Sequence, residues 1–283
     1  MHFRPAIAAV LVVTAMLPAL AHAQSETAPA GSVLAGDHIT IGIGGVYGPS
    51  YWGSDDQVFF PVPLVQGKIA GIDITPRPGG LALDVIPDGH DAKLGFSLGP
   101  VATYTRNRSS QIGDPVVRAA GRLKGSIDAG VNAGVTAYRL LNPYDSLTVS
   151  ADVKWNVNGA SDGMTVSPSI SYVTPLSKAA LVTLGVSAEH DSRNYAAYYY
   201  GVSPAQSAAS GLPQFHARSG WSSVGVSMLG GYDLSGNLLD GGFAVFALAS
   251  YNRMLNDARR TPYTAIRGSA DQWQFGAGVA YTF

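Results

Sequence analysis

Along most of the chain, apolar and polar residues alternate with a period of two. In the final segment Trp273, Phe275, Ala277, Val279, Tyr281 and Phe283 alternate with Gln272, Gln274, Gly276, Gly278, Ala280 and Thr282. Leu147, Val149, Ala151, Val153, Trp155 and Val157 do the same against Ser146, Thr148, Ser150, Asp152, Lys154 and Asn156. Ala180–Glu189 and Ile127–Ala137 repeat the pattern. Such a dyad puts one set of side chains on each face of a β-strand. Strands of soluble sandwiches also alternate, but they run about 5–6 residues. These run about 12, which fits a tilted bilayer crossing with one apolar face. An open edge would leave unpaired backbone groups in hydrocarbon, so the sheet must close. The expected fold is all-β: a transmembrane antiparallel β-barrel.

Ten strands are clear: His38–Tyr47, Gln57–Gly67, Lys93–Asn107, Gly125–Arg139, Tyr144–Asn158, Gly163–Thr174, Ala179–His190, Trp221–Leu234, Leu238–Arg253 and Asp271–Phe283. The stretch between Gly67 and Lys93 reads as one long strand, or as two short ones hinged at Pro76-Arg77-Pro78-Gly79-Gly80. Parity decides. Bacterial barrels have even strand numbers, short periplasmic turns and long outer loops. With twelve strands, the long connections Arg108–Lys124, Asp191–Gly220 and Met254–Ala270 all fall outside. The hinge is expected to sit outside any regular ladder, because proline lacks the donor.

The N-terminus is read separately. Arg4 precedes an apolar run, Ala6 to Leu17, and Ala21-His22-Ala23 fits a small-x-small cleavage pattern. Residues 1–23 therefore read as a secretory signal peptide, too short in its apolar part to span a bilayer. Residues 24–37 read as a flexible leader, and 38–283 as the barrel. Composition agrees. Charged residues are only 13%, about half the usual share. Lys and Arg number 18 against 19 Asp and Glu, so the chain lacks the basic surplus that nucleic acid demands. Without cysteine there is no thiolate metal site or disulfide frame.

Candidate chemistry is sparse. His190-Asp191-Ser192 holds acid, base and hydroxyl, but a triad needs spatial convergence, and neighbours on a strand point to opposite faces. His38, His90, His190 and His216 lack metal-ligand spacing. Asp55-Asp56 offers two carboxylates, few for Ca²⁺, and Gly53-Ser54-Asp55 reads better as a turn with Asp55 bonding nearby backbone. No catalytic residue, cofactor or metal is expected. Alternation turns Asp128, Asp152, Lys154 and Glu189 inward, with Tyr138. They line a pore or form a salt-bridge network that plugs it, and the bulk of Tyr138 favours the plug. The tyrosine-rich loop Asp191–Gly220 either packs on itself over the mouth or forms a contact surface.

Three stretches resemble the MltA-interacting protein/outer-membrane protein V family. Tyr51-Trp52-Gly53-Ser54-Asp55 followed by Pro61-Val62-Pro63 is similar to its early motif. Tyr199-Tyr200-Gly201-Val202 with Ser210-Gly211 is similar to its long-loop signature, and the strand ending Tyr281-Thr282-Phe283 to its aromatic terminus. The resemblance implies an outer-membrane barrel embedded in lipid. It implies a scaffold role between a lytic transglycosylase and a peptidoglycan synthase, with porin-like channels and adhesins as the alternative. Tyr281 and Phe283 read as the C-terminal signal for the barrel-assembly machinery.

Overall fold

The computed structural model describes residues 32–89 and 92–283. The expected signal peptide, leader residues 24–31 and His90 lie outside the described residues. Twelve strands form one closed antiparallel barrel in which each strand pairs with the next and the last pairs with the first. They are β1 (His38–Pro49), β2 (Gln57–Ile69), β3 (Ile72–Arg77), β4 (Gly80–Asp84), β5 (Leu94–Thr105), β6 (Ser126–Tyr138), β7 (Ser146–Asn156), β8 (Met164–Pro175), β9 (Ala180–Asp191), β10 (Gly220–Asp233), β11 (Gly242–Met254) and β12 (Asp271–Thr282). No helix among the described residues is long and apolar enough to cross a membrane.

The alternation becomes two surfaces. Ile41, Ile43, Val131, Val135, Val149, Leu184, Val186 and Val279 point outward and are exposed. In water such a belt would forfeit about 1.5–3 kcal/mol for each large side chain left unburied. In hydrocarbon it is the matched surface. Exposed aromatics mark both edges: Tyr47, Tyr104, Trp155, Trp221 and Trp273 towards the long loops, and Tyr144, Tyr232, Phe243 and Phe283 towards the short turns. Their amphipathic rings suit the two headgroup levels.

Two short strands, β3 and β4, fill the ambiguous stretch. The hinge is a correction. The turn itself is only Pro78-Gly79, with Gly79 at φ 72°, and the ladder continues through Pro76↔Leu81 and Arg77↔Gly80. Pro76 is tolerated because its imide nitrogen faces β2, where the pairing has already stopped. Residues 238–241, expected at the start of a strand, belong to the turn before Gly242. The described end of the leader is docked: a single 3₁₀ turn, Val33–Ala35, is held by Val33 N–H to Leu239 O at 3.0 Å.

Candidate functional site

The outer connections fold into a lid. It contains five short helices: α1 (Pro115–Ala119), α2 (Arg193–Tyr200), α3 (Pro204–Ser210), α4 (Asn256–Arg260) and α5 (Pro262–Ala265). Two of them have a local cap. The Asp114 carboxylate caps α1, accepting from Val116 N–H at 2.7 Å and Val117 N–H at 3.0 Å. Ser203 and Gln206 form a reciprocal capping box for α3, with Pro204 at its first turn and Gly211 at φ 74° closing it. Two apolar cores weld these pieces together. One gathers Tyr51, Ile112, Val117, Val202, Leu212 and Tyr263. The other gathers Tyr195, Tyr199, Tyr200, Ala217, Met254 and Ala258.

The residues of the two motif loops sit in this lid, the two prolines in the strand below it. Tyr51 is buried in the first core. Gly53 adopts φ 98°, and a Cβ there would lie 2.1 Å from Thr264 Oγ1. The side chain that closes the turn is Ser54 rather than the expected Asp55: its hydroxyl accepts from Asp56 N–H at 3.0 Å. Buried Gln272 ties the same turn to β12, accepting from Gly53 N–H at 3.1 Å and donating to Ser54 O at 3.0 Å. Tyr199 and Tyr200 are buried, and Thr261 Oγ1 donates to Tyr200 O at 2.6 Å. Gly201 ends α2, Val202 bridges to Phe215, and Ser210 Oγ donates to Gln206 O at 2.6 Å. Pro61 and Pro63 lie in β2, opposite Gly45 and Ile43. The loop thus packs on itself.

Electrostatics stiffen the lid. Arg108, 1% exposed, stacks its guanidinium 3.9 Å from the Tyr263 ring centroid. Burial lowers its pKa, while neighbouring tyrosines oppose that shift. Burial, reinforced by Asp114, pushes the Tyr51 phenol above its ordinary value. Burial also raises Tyr199 and Tyr200. For Asp114, burial pulls upward, but bonds from Val117, Arg267 and Val116 outweigh it and hold the carboxyl low. Arg267 Nη2 approaches Asp114 to 2.7 Å.

Beneath the lid the interior is crossed. Arg77 reaches from β3 to Asp152 on β7, with Nε at 2.7 Å and Nη2 at 3.2 Å. Asn132 Nδ2 donates to the same carboxylate at 2.6 Å. Asp128 accepts from Ser126 Oγ at 2.7 Å. Glu189, with Lys154 and Asp128 as its charged neighbours, accepts from Ser167 Oγ at 3.5 Å. Tyr138 OH donates to Asp88 at 2.9 Å. At the short-turn end, buried Leu34 closes over an apolar cluster of Val173, Leu181 and Leu229 flanked by Leu238, Phe246 and Leu248.

The structure separates the other candidates. His190 stacks edge-on against Trp221, Asp191 is buried, and Ser192 Oγ accepts from Met164 N–H. No group of three metal-ligating side chains occurs among the described residues. Tyr281 and Phe283 pack edge to face with ring centroids 4.6 Å apart, and Phe283 N–H donates to Ile39 O at 2.9 Å. Sequence reasoning passed over Arg77, Arg108 and Gln272. Asp114-Pro115 and Ser203-x-x-Gln206 carried readable start signals for α1 and α3.

Solved structures similar to this chain are outer-membrane barrels of low identity. OmpT of Vibrio cholerae is 8% identical at TM-score 0.35, covering 88% of this chain and 97% of that one. An anion-selective porin from Comamonas acidovorans is 11% identical at TM-score 0.36, covering 84% and 58%. The monoaromatic hydrocarbon channel CymD is 10% identical at TM-score 0.38, covering 92% of both. No curated protein sequence matches the chain. The family model described as MltA-interacting protein MipA matches residues 41–283, a span from the first strand to the terminal aromatic that takes in both motif loops, and the chain belongs to that family.

Proposed function

We propose that this outer-membrane barrel is a non-enzymatic scaffold assisting murein-synthesising complexes, rather than a passive channel. The carrying observation is an interior obstructed at three levels. The lid folds on two apolar cores, Arg77 and Asp152 bridge the interior, and Leu34 is buried at the short-turn end beside Leu181 and Leu229. A conducting pore would need all three to move. A scaffold needs a rigid, anchored body, and the family description names a lytic transglycosylase partner, MltA. A peptidoglycan synthase is the second partner the reading requires. Export uses residues 1–23, removed after Ala23, and the barrel-assembly machinery reads Tyr281 and Phe283.

Two measurements test this. Purified protein in planar bilayers is expected to give no steady conductance. The mature protein, used as bait on detergent-solubilised envelopes, is expected to retain a lytic transglycosylase. Steady ion current with no retained murein enzyme favours the porin-like alternative.

A further inference from the structure

Strand β2 is covered on one edge and bare along most of the other. It pairs with β1 from His38↔Lys68 to Pro49↔Gln57. With β3 it forms only Gly67↔Ile74, Lys68↔Asp73 and Ile69↔Ile72. Among the described residues no strand covers the other edge from Gln57 to Gln66. At about 3.3 Å per residue that edge is about 30 Å long.

The direction of its backbone groups follows from one hydrogen bond. Phe283 N–H donates to Ile39 O, so β1 residues 39, 41, 43 and 45 turn their backbone groups towards β12. Pro63 and Pro61 oppose Ile43 and Gly45. They therefore occupy non-hydrogen-bonded pairs and aim their nitrogens at the bare edge. The far side of the gap repeats the device. Arg77↔Gly80 flanks a two-residue turn and is the hydrogen-bonded pair, so Pro76, of opposite parity, aims its nitrogen at β2. Three imide nitrogens thus face the gap from both walls. Unpaired N–H groups are costly in hydrocarbon, and prolines remove them. They also deny a ladder to any added strand, which argues against a peptide partner there.

The inner side of β2 is apolar. Leu64 is buried, and with Gln66, Leu181, Leu229 and Phe246 it walls a cavity of about 80 Å³ above Leu34, room for a short stretch of acyl chain. The opposite wall carries Asp128, Asn132, Asp152 and Ser169, all buried polar groups. At its outer end the gap stops where Gly113 meets Asp56. The opening thus lies at bilayer level and leads to an interior with one greasy and one polar wall.

We propose that the gap between β2 and β3 is a lateral portal through which a single-chain amphiphile passes between the membrane and the lower interior. This does not depend on the scaffold reading, since a barrel closed to ions along its axis can still be open sideways.

The test uses the full mature protein in phosphatidylcholine/phosphatidylglycerol vesicles containing a diazirine analogue of palmitate. After irradiation, adducts are mapped by mass spectrometry. Adducts are expected on inward Leu64 and Phe246 as well as outward Ile41 and Phe243. The gap is then closed in two ways. One variant lengthens the β3–β4 hairpin by two Thr-Val pairs and carries Pro61→Thr and Pro63→Thr. The other carries Val65→Cys and Pro76→Cys, the positions that would face each other if the β2–β3 register ran two residues further. The chain has no native cysteine, so reduction provides an internal control on the same folded protein. Either closure is expected to cut inward adducts at least tenfold, with outward adducts unchanged, and reduction is expected to restore them. Wild-type adducts confined to the outer face overturn the portal. So do inward adducts indifferent to the disulfide.

Discussion

The bridge across the interior is the feature whose removal has the most predictable cost. Arg77 and Asp152 side chains are 8% and 9% exposed, with a closest N–O distance of 2.7 Å. At an effective dielectric of about 20, unit charges this close attract by on the order of 4–6 kcal/mol. Desolvation offsets much of that, so the intact pair contributes little net stability. The asymmetry lies in breaking it. Asp152→Asn keeps the volume and strands the Arg77 guanidinium among polar but uncharged neighbours, at an expected cost of about 3–5 kcal/mol. The double variant Arg77→Met/Asp152→Leu removes both charges and is expected within about 1 kcal/mol of wild type. Urea titration of vesicle-refolded protein, followed by heat-modifiable gel mobility, reads these values. A single variant as stable as wild type would refute the argument, as would a double variant costing the sum of the two singles. Either result would mean that water in the interior solvates these charges well.

Three further outcomes are expected. Val153 faces away from Asp152 and Lys154 on the same strand, so Val153→Lys places a charge in lipid at about 2–4 kcal/mol and prevents stable refolding in vesicles, whereas Lys154→Gln refolds normally. Equal refolding would show that the faces of β7 are reversed. Asp145 accepts from Leu140 N–H at 2.7 Å, Leu141 N–H at 2.9 Å and Tyr172 OH at 2.8 Å. Burial raises its carboxyl, but these bonds prevail and hold it below its ordinary value. Its stabilisation is therefore present above the unfolded value of about 3.9 and fades as pH falls through the lowered folded value. Denaturation midpoints of wild type and Asp145→Asn should accordingly differ at pH 6 and converge towards pH 2. Deleting Phe283 is expected to reduce folded barrel in the membrane while export continues, and unchanged heat-modifiable material at wild-type abundance would count against an assembly role.

The barrel was legible because each strand carries its own evidence. The alternation in Leu147–Val157 states which side chains share a face without reference to any other segment. Twelve strands followed from the alternating segments, even parity and the loop lengths. The helices of the lid were not legible, because α2 and α3 are too short to show a helical period and the tyrosines of α2 suit a strand as well as a helix. What folds α2 is burial against Met254, Ala258 and Ala217, contacts distant in sequence. The caps at Asp114 and at Ser203 with Gln206 were local. The interior bridge was hidden for a different reason. Asp152 announced itself by alternation, but Arg77 sat in a segment dominated by prolines, and a partner 75 positions away leaves no periodic trace. Likewise a buried cation such as Arg108, stacked on an aromatic face, reads in sequence as an ordinary solvated arginine.

The seam between β1 and β12 sets a clock for the molecule. Thr40 and Thr282 share a hydrogen bond at 2.7 Å across 242 positions of chain. Every other strand pair joins neighbours in sequence, so an incomplete chain can assemble eleven strands as a curved ribbon but cannot become a ring. Contacts of such separation form late. Until they do, β1 and β12 are two bare edges of about 40 Å each. Gly44 and Gly278 leave a groove on this seam into which Phe246 fits, its ring too near for a Cβ at either position. The ring therefore lies across both terminal strands, from a strand that has already paired, when they finally meet. Order of synthesis and order of closure are thus opposed: the first strand made must wait, one edge unpaired, for the last.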